Sequence, residues 1–174
     1  MGLFDSTDGS FVRAFEGHRA GIYSVAFSPD GELVASSGID QTIRVHEVAS
    51  GRQRFVLEGH EAPCWSVSYR SDGEQIASGS HDHTVKLWSA STGELEHTLE
   101  GHTDFVATLR YHPGGELLAS TDNTGTLCMW NPHTGSAVIS AEIGAPIWGI
   151  AFDGSGGRFA LAHLTGRVDL FALD

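Results

Sequence analysis

Apolar and polar residues alternate in short runs along almost the whole chain, and each run closes on a turn rich in Gly, Asp, Ser or Asn. Val25 and Phe27 point one way in a first run, Ser-Pro-Asp-Gly turns the chain, and Leu33 and Ala35 continue the rhythm in a second. A period of two is the signature of a half-buried strand, and no long run of helix-forming residues interrupts it. Asp30-Gly31 and Asp72-Gly73 read as hairpin turns between consecutive strands. The predicted class is all-β.

The runs recur as units. Glu-Gly-His stands at residues 16–18, 58–60 and 100–102, a spacing of 42 residues each time. Self-similarity at such a period marks a repeat architecture. Behind each copy come SVAFSPDGELVASSG, SVSYRSDGEQIASGS and TLRYHPGGELLASTD, followed by TIRVHE, TVKLWS and TLCMWN. GIAFDGSGGRFALAH followed by RVDLFA is a fourth copy without the Gly-His. The units run at about 17–58, 59–100, 101–142 and 143–174 within a single domain, 1–174. Each predicts four short strands, and Phe4, His46, Trp88, Trp130 and Phe171 share the end of the third. Residues 3–16 align with 87–100, so the first segment supplies the tail of a third strand and a complete fourth, whereas the last unit stops after its third.

The period, the Gly-His, the Ser-Pro-Asp-Gly turn, the Ala-Ser-Gly-Ser, the turn Asp and the strand-ending Trp together resemble the WD40 repeat family. The likeness extends over essentially the whole chain, with two departures: no copy has a literal Trp-Asp pair, and the fourth has neither Gly-His nor the turn Asp. It implies a β-propeller with one blade per repeat, four blades in this chain. It also implies that the signature residues are structural, forming a network of His, Ser, Asp and Trp that pins each blade. By position the second repeat holds the full set, His60, Ser78, Asp82 and Trp88. The first keeps His18, Ser36 and Asp40 with His46 for the Trp. The third keeps His102, Ser120 and Trp130 with Thr124 for the Asp, and the fourth has Leu161, Thr165 and Phe171. Rings of this family usually hold about seven or eight blades. The expectation is therefore a homodimer of eight blades, the 3–16 strand of each chain completing the last blade of the other. A piece of a longer propeller, excised or engineered, is the alternative.

Binding is the usual function of this architecture, and catalysis would need a site of its own. The resemblance places contact positions on the narrow face early in the first strand, at Tyr23, Trp65, Ala107 and Trp148 with Phe105 beside Ala107, and just before the turn Asp, at Ile39, His81, Asn123 and Leu164. Tyr and Trp are enriched in interface hot spots, so these residues point to a peptide or protein partner. The competing reading is that they pack between blades. The Ser, His and Asp of one repeat resemble a hydrolase triad only in composition, because the trio recurs as scaffolding. The chain is expected to be a non-catalytic interaction scaffold, the alternative being an enzyme or small-molecule sensor that uses the central channel.

Composition narrows the partners. The net charge is -12 and the ten Lys and Arg are scattered, which argues against nucleic acid. No apolar run approaches the ~20 residues of a membrane span, so no membrane partner is expected. Met1-Gly2 to Ser6 fits the loose myristoylation pattern, but the same residues belong to the repeat alignment. Cys64 and Cys128 stand alone without a C-x-x-C, which suits a reducing compartment, and the cytoplasm is the expected location. His81-Asp82-His83 has the spacing of two zinc ligands, yet Asp82 already belongs to the network and no third His lies near. No metal and no cofactor are expected.

Overall fold

The computed structural model describes residues 1–173 as a succession of antiparallel hairpins. β1 (Gly2–Phe4) and β2 (Phe11–Ala14) form a two-stranded hairpin. A four-stranded meander follows, β3 (Ile22–Phe27), β4 (Leu33–Gly38), β5 (Ile43–Glu47) and β6 (Gln53–Leu57). The next is β7 (Cys64–Tyr69), β8 (Gln75–Ser80), β9 (Val85–Ser89) and β10 (Leu95–Leu99). The third is β11 (Val106–Tyr111), β12 (Leu118–Asp122), β13 (Thr126–Asn131) and β14 (Ser136–Glu142). The last sheet has three strands, β15 (Ile147–Phe152), β16 (Arg158–His163) and β17 (Val168–Ala172). Among the described residues no helix is long and apolar enough to cross a membrane.

Local chemistry explains the hairpins. In the first turn Ser28 Oγ donates to Asp30 Oδ1 at 2.5 Å and accepts the Leu33 N–H at 2.9 Å, while Asp30 Oδ1 also accepts the Glu32 N–H at 2.9 Å. The Asp closes the loop on itself, the mode in which Asp and Ser favour turns.

Packing between sheets builds the core, because each sheet buries one face against the first strand of the next. Ala35, Ile43, Val45 and Leu57 meet Cys64, Val67 and Tyr69 in one cluster. Ala77, Val85, Leu87 and Leu99 meet Val106, Leu109 and Tyr111 in a second, and Ala119, Leu127 and Met129 meet Ile147 and Ile150 in a third. The same joint is thus made three times, each buried aliphatic side chain contributing about 1.5–3 kcal/mol. The remaining two faces carry matching residues with no neighbour among the described residues. Val25 and Phe27, equivalent to the buried Val67 and Tyr69, are each 52% exposed. Val168 and Leu170, equivalent to Val85 and Leu87 at 0%, are 64% and 78% exposed.

Candidate functional site

Two sets of side chains carry polar or aromatic chemistry, one inside the sheets and one at the rim of their first strands. Inside the second sheet, Trp88 Nε1–H donates to Ser78 Oγ at 2.8 Å, Ser78 Oγ–H donates to His60 Nε2 at 2.8 Å, and His60 Nδ1–H donates to Asp82 Oδ2 at 2.7 Å. Each proton of this chain has one acceptor. Asp82 further accepts the Glu61 N–H and the Thr84 N–H and hydroxyl. The Gly before the His is required because Gly59 has φ +153° and a Cβ there would stand 3.3 Å from the Trp88 ring.

The first sheet repeats the arrangement up to the missing Trp. His18 binds Asp40 at 2.9 Å and Ser36 Oγ at 2.9 Å, but His46 turns its Nε2–H to the Glu16 carbonyl at 2.9 Å instead of to the Ser. Its Nδ1 is buried without a partner. The substitution diverts a link of the network to the segment that joins β2 to β3.

The third sheet corrects an expectation. Thr124 stands where the sequence alignment places the turn Asp, yet the carboxylate is supplied by Asp122, which accepts from His102 Nδ1 at 3.1 Å while His102 Nε2 meets Ser120 Oγ at 2.7 Å. Asp122 is fully buried and also accepts the Thr124 and Thr126 N–H groups and the Thr124 hydroxyl. Trp130 Nε1 completes the chain to Ser120 Oγ at 2.8 Å. In the fourth sheet Phe171 stacks on Phe159 at 4.9 Å, and a His–Asp pair absent from the alignment forms between His163 Nε2 and Asp169 Oδ2 at 3.1 Å.

Electrostatics follows from burial. Burial opposes ionisation of Asp40, but hydrogen bonds from the Arg19 N–H, His18 and Thr42 outweigh it and hold the carboxyl at about 2. Burial, partly opposed by hydrogen bonds, depresses His46 and His102 below the ordinary 6.5. The neutral imidazoles therefore stabilise the fold fully above 6.5 and progressively less as pH falls below it. The Asp40 contribution is present above the ordinary 3.8 and is lost as pH falls toward 2. The melting temperature is expected to be flat from about pH 7 to about pH 9, above which the raised thiols cost stability, and to fall in one step below 6.5 and in another below 3.8. His46→Phe should shrink the first step, as a pH series of thermal melts would show. An unchanged first step would separate His46 from acid sensitivity. Burial also pushes the Cys64 and Cys128 thiols up, which leaves them unreactive.

The second set lies where the first strands begin. Each of β3, β7, β11 and β15 has a β-bulge at its second residue, and the extra residue is Tyr23, Trp65, Ala107 or Trp148. A bulge re-aims a side chain away from the ladder. Tyr23 and Trp65 stack at 4.2 Å with their planes 7° apart, and Trp65 stacks on Phe105 at 5.3 Å. Trp148 meets Trp65 edge-on at 6.2 Å and Phe105 at 6.4 Å. Phe105 thus bridges the row where Ala107 is too small to reach. Tyr23 and Trp148 remain 44% and 47% exposed, whereas Trp65 is half-buried and its Nε1–H has no acceptor. The rings thus pack on one another across the sheets, as the packing reading has it, and Tyr23 and Trp148 still present a surface.

The second group of positions is bound to the first by backbone. The N–H groups of Ile39, His81, Asn123 and Leu164 donate to the carbonyls of Gly21, Pro63, Phe105 and Pro146, just ahead of the bulges. His81 packs edge-on against Phe105 at 5.1 Å, and Asn123 Nδ2 donates to Asp104 at 3.1 Å. Ile39, His81 and Leu164 are exposed, and Asn123 is half-buried. Asp82 faces His60 and Thr84, and His83 takes a left-handed turn at φ +68°.

The comparisons with known proteins bear on this geometry. The profile of the WD domain, G-beta repeat, matches residues 9–47, 51–89 and 93–131, together more than half of the chain. The chain belongs to the WD40 repeat family. Each WD40 match runs from an outer strand through the third strand of the next sheet, β2 to β5, β6 to β9 and β10 to β13. β14 to β17 follow the same order, and β1 stands ahead of the first match. The chain is 53% identical over 45 residues to an uncharacterized WD repeat-containing protein, sll1491, of Synechocystis sp., covering 25% of this chain and 13% of that protein. It is 42% identical over 52 residues to WD repeat-containing protein SL1-17 of Schistosoma mansoni, covering 30% and 17%. Serine-threonine kinase receptor-associated protein of Homo sapiens is 39% identical over 49 residues, covering 28% and 14%. The matched stretches thus span less than a fifth of the length of these relatives. WD40 repeats generally mediate protein–protein interaction, and proteins built from them are generally non-catalytic scaffolds.

Proposed function

We propose that the aromatic row and the loops beside it dock an extended segment of a protein partner, which the chain holds as a non-catalytic scaffold. The observation that carries this reading is the set of bulges. They turn Tyr23, Trp65 and Trp148 out of three of the four first strands, and Phe105 joins the rings into one surface. The exposed faces of Tyr23 and Trp148 supply rigid apolar area at low entropic cost. Peptides selected from a random display library against the folded chain should lose at least about 1 kcal/mol, or fivefold, on Tyr23→Ala or Trp148→Ala. Those two exposed residues are chosen because their loss should leave the melting temperature nearly unchanged. Peptides that bind both variants as well as the parent would overturn the reading.

The two uncovered faces favour a second statement, that two chains join into an eight-bladed ring. Val168 and Leu170 with Ala160 form one half of the joint that the chain already makes three times, and Ile22, Val25 and Phe27 form the other. Head-to-tail pairing of two copies would cover both halves twice. The strand of residues 3–16 would then add to the open edge of β17 in the partner, and the cytoplasm is the setting proposed for the assembly.

A further inference from the structure

We propose that β14 is a docking edge, to which an extended, β-branched and basic segment of a partner protein adds as a further strand of the third sheet. The edge lies on a different strand from the aromatic row and does not depend on it. Each outer strand, β2, β6, β10 and β14, turns one row of backbone N–H and C=O groups away from its sheet, with no strand beyond it among the described residues. Such an edge accepts foreign strands unless it is short, charged or bulged. Three of the four are blunted in this way. β2 has only four residues and carries Arg13. β6 sets Arg54 at its bulge, over the Phe55 ring at 5.3 Å, with Arg52 just ahead of the strand. β10 sets Glu96 at the equivalent bulge, with Glu94 just ahead.

β14 carries no such charge. It has seven residues, none ionisable from Ser136 to Ala141, and the residue at its bulge is Val138, 55% exposed. β13 holds it extended from end to end, Asn131 facing Ser136 and Thr126 facing Glu142, and past the bulge the register runs unbroken from Ile139. Asn131 Oδ1 accepts the His133 and Thr134 N–H groups, which fixes the turn that leads into the strand. An edge already held in its paired form loses little freedom when another strand adds to it. Charge selects the occupant. The chain carries -12, so a second copy would be repelled where a basic segment is attracted. Glu142 is the one charged residue of β14. An antiparallel segment brings its N-terminal end opposite Glu142, where Lys or Arg forms a cross-strand ion pair, and Val, Ile or Thr suits the neutral stretch before it.

The probe is a peptide of alternating Thr and Val with Lys at both ends, N-methylated at alternate amides so that it keeps one hydrogen-bonding edge and cannot stack on itself. It should bind the full chain and slow amide hydrogen exchange in β14. The same peptide N-methylated at every amide keeps the side chains but offers no ladder, and should bind at least about tenfold more weakly. Val138→Lys, which copies the charge that β6 carries, should weaken the probe to a similar extent without moving the melting temperature, whereas Val138→Thr should leave it bound. Glu in place of the N-terminal Lys of the probe should cost several-fold, and Glu142→Lys should reverse that preference. Tyr23→Ala and Trp148→Ala should leave this binding unaltered, so that the docking edge and the aromatic row stand or fall separately. No binding, binding that survives full N-methylation or Val138→Lys, or exchange in β14 that the probe does not slow would overturn the docking edge. Dimerisation of the full chain that Val138→Lys abolishes would give the edge to a second copy and overturn the basic partner.

Discussion

Trp88→Ala is expected to destabilise the protein by about 3–5 kcal/mol, the usual cost of emptying a buried aromatic site. The indole is fully buried, packs over Gly59 and lies in the cluster that joins the first two sheets. Its removal leaves a cavity at that joint and takes from Ser78 Oγ the donor that completes the chain to His60 and Asp82. Trp88→Phe separates the two effects: most of the volume returns, the hydrogen bond does not, and a residual loss of about 1 kcal/mol is expected. Phe171→Trp, at the equivalent position of the last sheet, should be mild because Phe171 is only partly covered. Denaturant titrations measure all three. A Trp88→Ala protein with the parent's midpoint would show that the second sheet is not held as described.

Asp122→Ala is the second large effect, about 3–5 kcal/mol, because it strips a buried carboxylate from five donors and strands His102. The position matters more than the charge. Thr124→Asp in the Asp122→Ala background should restore little, since the strand end of the third sheet is organised around residue 122. Asp122→Ser with Thr124→Asp recreates the Ser80 and Asp82 pair of the second sheet and should recover part of the loss. Stability measured across this set tells the two positions apart. Full rescue by Thr124→Asp alone would return the role to the position that the repeat alignment indicates.

What the sequence made legible was whatever depends on local pattern. The hairpins follow from alternation and from Ser28 and Asp30 closing their own turn, and the 42-residue spacing brought His18, His60 and His102 to equivalent places. Asp122 escaped that reading because a carboxylate at the first residue of the turn, two residues earlier, reaches the same imidazole from a turn of the same form. The alignment compares positions along the chain, whereas the hydrogen bond compares positions in space. His163 and Asp169 were hidden for the same reason, being partners across a strand pair and not within a motif. The aromatic residues were visible individually, but their stacking depends on bulges at Tyr23, Trp65 and Trp148 and on Phe105 bridging Ala107. A bulge is one extra residue in one strand, and alternation alone does not reveal which residue it is.

Among the described residues every strand pairing joins neighbours along the chain. A sheet can therefore close hairpin by hairpin as the chain is synthesised, each step fixing a few residues and closing only a short loop. Topologies of this kind avoid the slow search for distant partners that burdens most all-β proteins. The repeats add a constraint on order, because each family unit begins with the outer strand of the sheet before it. No sheet is finished until the following unit has started, so folding is handed forward along the chain one strand at a time.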